Sequence, residues 1–187
     1  MRYFYDTEFL EDGHTIDLIS IGIVAEDGRE YYAVAADAPW KRVAAHPWLM
    51  DNVVPSLPLL HGDARLHRWI LSRSGRRRNP CMLDFDSPRM KPKARIAGEV
   101  RNFLLANGTP ELWADYGAYD HVVLCQLWGA MVDLPAGLPM WTNDVKQECA
   151  RLGDPRMPEQ SDGVHNALAD ARHVRTMYDW LTRVERP

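Results

Sequence analysis

MRYFYDTEFLEDGHTIDLISIGIVAEDGREYYAVAA, residues 1–36, carries the reading of the fold. In RYFYDTEF, aromatic and polar residues alternate with the period of a strand. EDGH makes a turn, and DLISIGIVA is apolar and β-branched, as a buried strand requires. A second turn, EDG, leads into REYYAVAA, another strand, so three strands joined by short turns predict an antiparallel meander. Asp6 and Glu8 stand at alternate positions of the first strand, which projects both side chains from one face. An acidic pair in an aromatic strand is costly to bury unless something neutralises it, and a divalent cation is the usual means. Taken alone, such a pair more often marks the exposed face of an edge strand.

Beyond the meander, residues 39–58 are rich in Trp, Pro and Val and promise only short helical stretches. Residues 73–93 contain several turn formers and are expected to be a basic loop. KARIAGEVRNFLLANG places Ile96, Val100, Phe103 and Leu104 on one helical face and stops at Asn107-Gly108. PELWADY is a short buried strand, AYDHVVLCQLWG a helix, and DVKQECARLG another short helix. In the last helix, Ala167, Ala171, Val174, Tyr178 and Leu181 form a stripe at three- and four-residue steps. Strands first, then alternating helix and strand, predict an α/β fold in a single domain spanning 1–187. Trp113, Trp128 and Trp180 belong to its core.

Composition sets the setting. With 46% hydrophobic and 26% charged residues the chain reads as globular. No apolar run approaches the length needed to cross a bilayer. Asp6, Glu8, Glu11 and Asp12 interrupt any N-terminal signal region, so a cytoplasmic location is expected. Cys81, Cys125 and Cys149 suggest neither a disulfide framework nor a zinc–thiolate site. Net charge is −4, yet residues 73–95 carry eight Arg or Lys against two Asp, leaving the remainder at −10. An acidic body with one basic stretch suits a protein that binds phosphates at one place and cations at another, although a merely solvated loop has the same composition.

The C-terminal helix supplies a third carboxylate. His165 lies five residues before Asp170, about 140° around a continuous helix, so the two would not share a face. They can converge if the helix begins near Asn166 and His165 stays on the preceding loop, a boundary that SDG favours. Asp170 then falls on the first turns beside the apolar stripe.

With these residues in place the chain resembles the DEDD exonucleases. Asp6-x-Glu8 followed by LISIGIV is similar to their first motif, and Tyr119-Asp120 in LWADYGAYDHVVL to the aromatic-Asp pair of their second. His165 and Asp170 match the third motif of the "h" branch; the "y" branch needs Tyr where this chain has Asn166. The chain departs from the pattern at Asp115 and Tyr116, where the family commonly has Asn, often after His. Asp115 therefore competes with Asp120 for the ligand role or serves as a supporting group, and the aromatic-Asp spacing favours Asp120. Within the DEDDh (RNase T-like) 3′→5′ exonucleases, the opening is most similar to the small bacterial polyadenylate-specific 3′-exoribonucleases.

The resemblance implies a ribonuclease H-like fold, a mixed five-stranded sheet flanked by helices. It also implies hydrolysis of single-stranded RNA from the 3′ end, with two Mg²⁺ or Mn²⁺ ions roughly 4 Å apart. Asp6, Glu8, Asp120 and Asp170 would hold the metals, and Glu8 would also hold the terminal 3′-hydroxyl. His165 would accept a proton from the attacking water. Phe9 is the candidate for stacking on bases, and Arg76, Arg77 and Arg78 for contacting phosphates. A homodimer could bring one subunit's basic loop to the other's site. A single-strand DNA exonuclease, or an RNA-binding module that has lost catalysis, are the alternative readings.

Overall fold

The structure, a computed structural model, describes residues 1–60 and 79–184. Arg76, Arg77 and Arg78, with the first part of the expected basic loop, lie outside the described residues. The predicted meander is present. β1 (Arg2–Glu11), β2 (Ile16–Ala25) and β3 (Glu30–Ala35) pair antiparallel in succession. After β3 come two short helices, α1 (Trp40–Val43) and α2 (Pro47–Asn52), and a 3-10 turn at Val54–Ser56. Then follow β4 (Met90–Lys91), α3 (Lys93–Leu105), β5 (Glu111–Ala114), α4 (Ala118–Gln126), β6 (Asn143–Asp144), α5 (Val145–Arg151) and α6 (Ala167–Val184). No helix among the described residues is long and apolar enough to cross a membrane.

The mixed sheet has the order β4-β3-β2-β1-β5-β6, six strands where the family resemblance implies five. The short outer members explain the difference. β4 pairs parallel with Val34 and Ala35 inside the stretch expected to be loop, and β6 pairs parallel with Trp113 and Ala114. Each is two residues long, too short to show a period, and exists because a longer neighbour offers it a hydrogen-bonding edge.

Alternation along β1 feeds two cores. Tyr3 and Tyr5 face the layer that holds Ile96, Val100 and Leu104 of α3 and Val123 and Leu124 of α4. Phe4 faces the opposite layer, with Val174, Met177 and Leu181 of α6 and Val145 of α5. Burying each such large apolar side chain contributes roughly 1.5–3 kcal/mol. Met177 completes the buried stripe of α6, whereas Tyr178 is half-buried and packs against Phe4 and Trp113, with ring centroids 5.2 and 4.7 Å away.

One contact sets how closely α6 lies on the sheet. Gly22 of β2 is the pairing partner of Asp6. A Cβ at Gly22 would overlap the carbonyl group of Ala167 and the Cα of Leu168. The first turn of α6 thus rests on bare strand backbone, the use for which a glycine inside a strand is suited. Ala167 and Ala171, both completely buried, keep the rest of that approach short.

Two glycine substitutions should therefore act in opposite directions. Gly22→Ala is expected to lower stability by about 1–3 kcal/mol through overpacking. Gly98→Ala, in α3 with open space around the added carbon, should raise it by roughly 0.5–1 kcal/mol. Calorimetric melting of both variants checks this; a Gly22→Ala protein that melts like the parent would show that α6 has room to spare.

Candidate active site

Asp6 and Glu8 leave β1 on the face that α6 covers, and Asp170 comes down from the first turn of that helix. One carboxylate oxygen from each of the three lies within 4.8 Å of the others. The chain before α6 makes this convergence possible. Asn166 caps the helix, its Oδ1 accepting from the Ala169 amide at 3.2 Å. His165, with φ of 65°, turns out of the helical path in the left-handed region. The helix begins at Ala167, next to the boundary expected from SDG, and His165 and Asp170 line one cleft of about 470 Å³.

The cleft is acidic and its carboxylates sit poorly there as anions. Glu8 is only 8% exposed, and burial, with Asp170 and Asp120 nearby, pushes its carboxyl up to about 8. Burial also holds Asp6 well above the usual carboxylate range, reinforced by Asp120, Glu8 and Asp170. Asp170 is raised too, chiefly by burial, although the Gln160 Nε2 donates a 2.7 Å hydrogen bond to its Oδ1. Three oxygens held together in a medium that penalises their charge form a set that a hard divalent cation fits.

Asp120 reaches the cleft by a different route. It sits in the first turn of α4, on the other side of β1, and is 6% exposed. Its Oδ1 accepts from the Thr7 amide at 2.8 Å and from the Thr7 hydroxyl at 2.6 Å. Burial raises its carboxyl and these two bonds oppose the rise. Asp120 lines the cleft but stands outside the close group of three. Asp115 also lines it, with Lys146 Nζ 3.8 Å from its Oδ1.

Phe9, the residue expected to stack on bases, lines the cleft but is itself stacked on Tyr119, at 5.9 Å between centroids and 11° between planes. Tyr119, 58% exposed, is the ring left open to solvent. Trp48 of α2 stands edge-on to His165, with ring centroids 4.9 Å apart. Sequence reading passed over Thr7, Trp48 and Gln160. Thr7 has a signal in retrospect, since the middle residue of Asp-x-Glu must face the opposite core. Trp48 and Gln160 lie in aperiodic segments that offer none.

The family profile described as the 3′-5′ exoribonuclease Rv2179c-like domain matches residues 1–181. The chain belongs to this family. The 3′-5′ exoribonuclease Rv2179c of Mycobacterium tuberculosis strain H37Rv is 46% identical to it over 187 residues, covering 99% of this chain and 95% of the relative. The 3′-5′ exoribonuclease MT2234.1 of strain CDC 1551 matches with the same identity and coverage. In this member of the exoribonuclease family the acidic cleft is the concave site where the motif residues meet.

Its electrostatics give a sign to the pH dependence of stability in chelator. The folded protein holds the Glu8 proton up to about pH 8, whereas the unfolded chain releases it near the ordinary value of 4.5. Glu8's contribution is therefore complete at acidic pH and is lost as pH rises through 8. The melting temperature without metal should fall between about pH 5 and pH 8, and Glu8→Gln should flatten that fall. An equally steep fall in the Glu8→Gln protein would remove Glu8 as its source.

Proposed function

We propose that the chain is a DEDDh-type enzyme on a ribonuclease H-like scaffold that hydrolyses single-stranded RNA from its 3′ end to nucleoside 5′-monophosphates. The observation that carries this reading is the meeting of Asp6, Glu8 and Asp170 within 4.8 Å, in the cleft that His165 also lines. Asp6, Glu8 and Asp170 would hold two Mg²⁺ or Mn²⁺ ions, with Asp120 in support through the oxygen that Thr7 leaves free. Such ions would supply charge neutralisation at the scissile phosphate and a more acidic water for the attack.

The remaining work falls to side chains. His165 takes the proton of the attacking water. Glu8 orients the terminal 3′-hydroxyl, which restricts attack to the end of the strand. Tyr119, backed by Phe9, offers a stacking face to a base. The cleft adjoins a depression of about 330 Å³ that shares Glu11 and Tyr119, so more than one nucleotide has room. Asp120 is preferred to Asp115 as the fourth carboxylate because Lys146 Nζ, 3.8 Å from Asp115 Oδ1, already offsets part of that charge. Arg76, Arg77 and Arg78 serve the RNA backbone.

Digestion of 5′-labelled single-stranded RNA beside matched DNA, with Mg²⁺, Mn²⁺ or chelator, tests the proposal. A ladder shortening from the 3′ end on RNA, absent in chelator, is expected. His165→Ala should slow it by about 10²- to 10⁴-fold, and Asp170→Asn should abolish it. Faster digestion of DNA would transfer the activity to the other substrate, because the carboxylates do not read the 2′-hydroxyl. RNA bound but intact under every metal would overturn catalysis altogether.

A further inference from the structure

We infer that Ser56 is a positioning residue for His165, fixing the backbone from which the imidazole reaches the cleft. This rests on the reading of His165 as the base.

His165 holds a φ of 65° although it carries a side chain, a conformation that L residues rarely adopt and that persists only where neighbours over-determine it. Those neighbours can be named. The Ser56 Oγ lies 2.7 Å from the His165 carbonyl oxygen, across 109 residues of chain. The same hydroxyl lies 2.9 Å from the Val53 carbonyl, but it has one proton, and the shorter contact is the one to His165. The Asn166 Nδ2 donates in return to the Ser56 carbonyl at 3.2 Å. Asn166 at the same time caps α6 through its Oδ1, so the Ser56 clasp and the helix start are one unit. Trp48, in the same segment as Ser56, meets the imidazole edge-on at 4.9 Å. From the other side, Gly163 crowds Ala169, whose Cβ would be 2.8 Å from an added carbon. The loop is thus clamped between α6 and the 47–56 segment. Ser56 does not line the cleft itself, so its influence passes through His165.

Removing the hydroxyl should let the loop relax while leaving the carboxylates in place. Ser56→Ala is expected to lower kcat on RNA on the order of 10- to 100-fold, the effect of displacing a reacting group by about an ångström. KM and the rise in melting temperature produced by Mn²⁺ should stay as in the parent, and Ser56→Thr, which keeps the hydroxyl, should restore kcat. Should Ser56→Ala not fold, Ser56→Cys carries the same comparison with a weaker donor. Parental kcat in Ser56→Ala would overturn the inference. So would a loss of the Mn²⁺ effect, which would make Ser56 a general structural residue. His165→Ala run in parallel separates the two readings. If it stays active, the base assignment fails; if it is inactive while Ser56→Ala is fully active, only the Ser56 inference fails.

Discussion

The first turn of α6 lies on β2 at a point where the strand has no side chain. Gly22 stands opposite Asp6 in the sheet, and any larger residue there would meet the backbone of Ala167 and Leu168. The meeting of Asp170 with Asp6 and Glu8 follows from this approach. A helix kept off the sheet by even one methyl would carry Asp170 away from Asp6 and Glu8 and would move the loop that ends at His165. The small residues Ala167 and Ala171 make sense in the same light, since a helix can settle so near a strand only where both surfaces are bare.

That packing brings like charges together, which proteins avoid unless something offsets it. Burial pushes Glu8, Asp6, Asp120 and Asp170 all upward, so the fold disfavours the charged form of each relative to an exposed carboxylate. Such a cluster lowers stability as long as its charges are not offset. The strained φ at His165 belongs to the same category, costing on the order of 1–2 kcal/mol of local conformational energy. Two unfavourable features, buried like charges and a strained backbone, thus meet in one cleft of a protein from an exoribonuclease family.

The site is assembled from both layers of the fold. Asp6 and Glu8 face the α6 layer, while Thr7 between them faces the α4 layer and holds Asp120 by two hydrogen bonds. A single strand therefore coordinates both sides of the site through the parity of its residues. The register with β2 slips immediately after Glu8, where Phe9 pairs with Leu18 and Ile19 is extra. Bulges of this kind re-aim side chains at the ends of paired strands, and here the slip separates the acidic pair from Phe9 and its stack on Tyr119.

How much of this was legible in the sequence depends on the range of the interaction involved. The parity of Asp6 and Glu8, the meander, the stripe along α6 and the placing of His165 outside that helix are properties of a few consecutive residues. The backbone's two periods are enough to read them. The six-stranded sheet was not legible, because β4 and β6 are two-residue segments defined only by their neighbours. His121 sits between the Tyr5 hydroxyl and the Cys125 thiol, 3.4 and 3.5 Å away, contacts that its place in AYDHVVLC does not announce. The support of the site was equally hidden. Thr7 meets Asp120 across 113 residues and Ser56 meets His165 across 109. Gln160 holds Asp170 from an irregular loop. The sequence by itself determined which acidic and histidine side chains were candidates for the site and on which face of their own element Asp6 and Glu8 stand. Only the tertiary structure decided which of them meet and what holds them there, because a hydrogen bond between distant residues leaves no periodic trace in either segment.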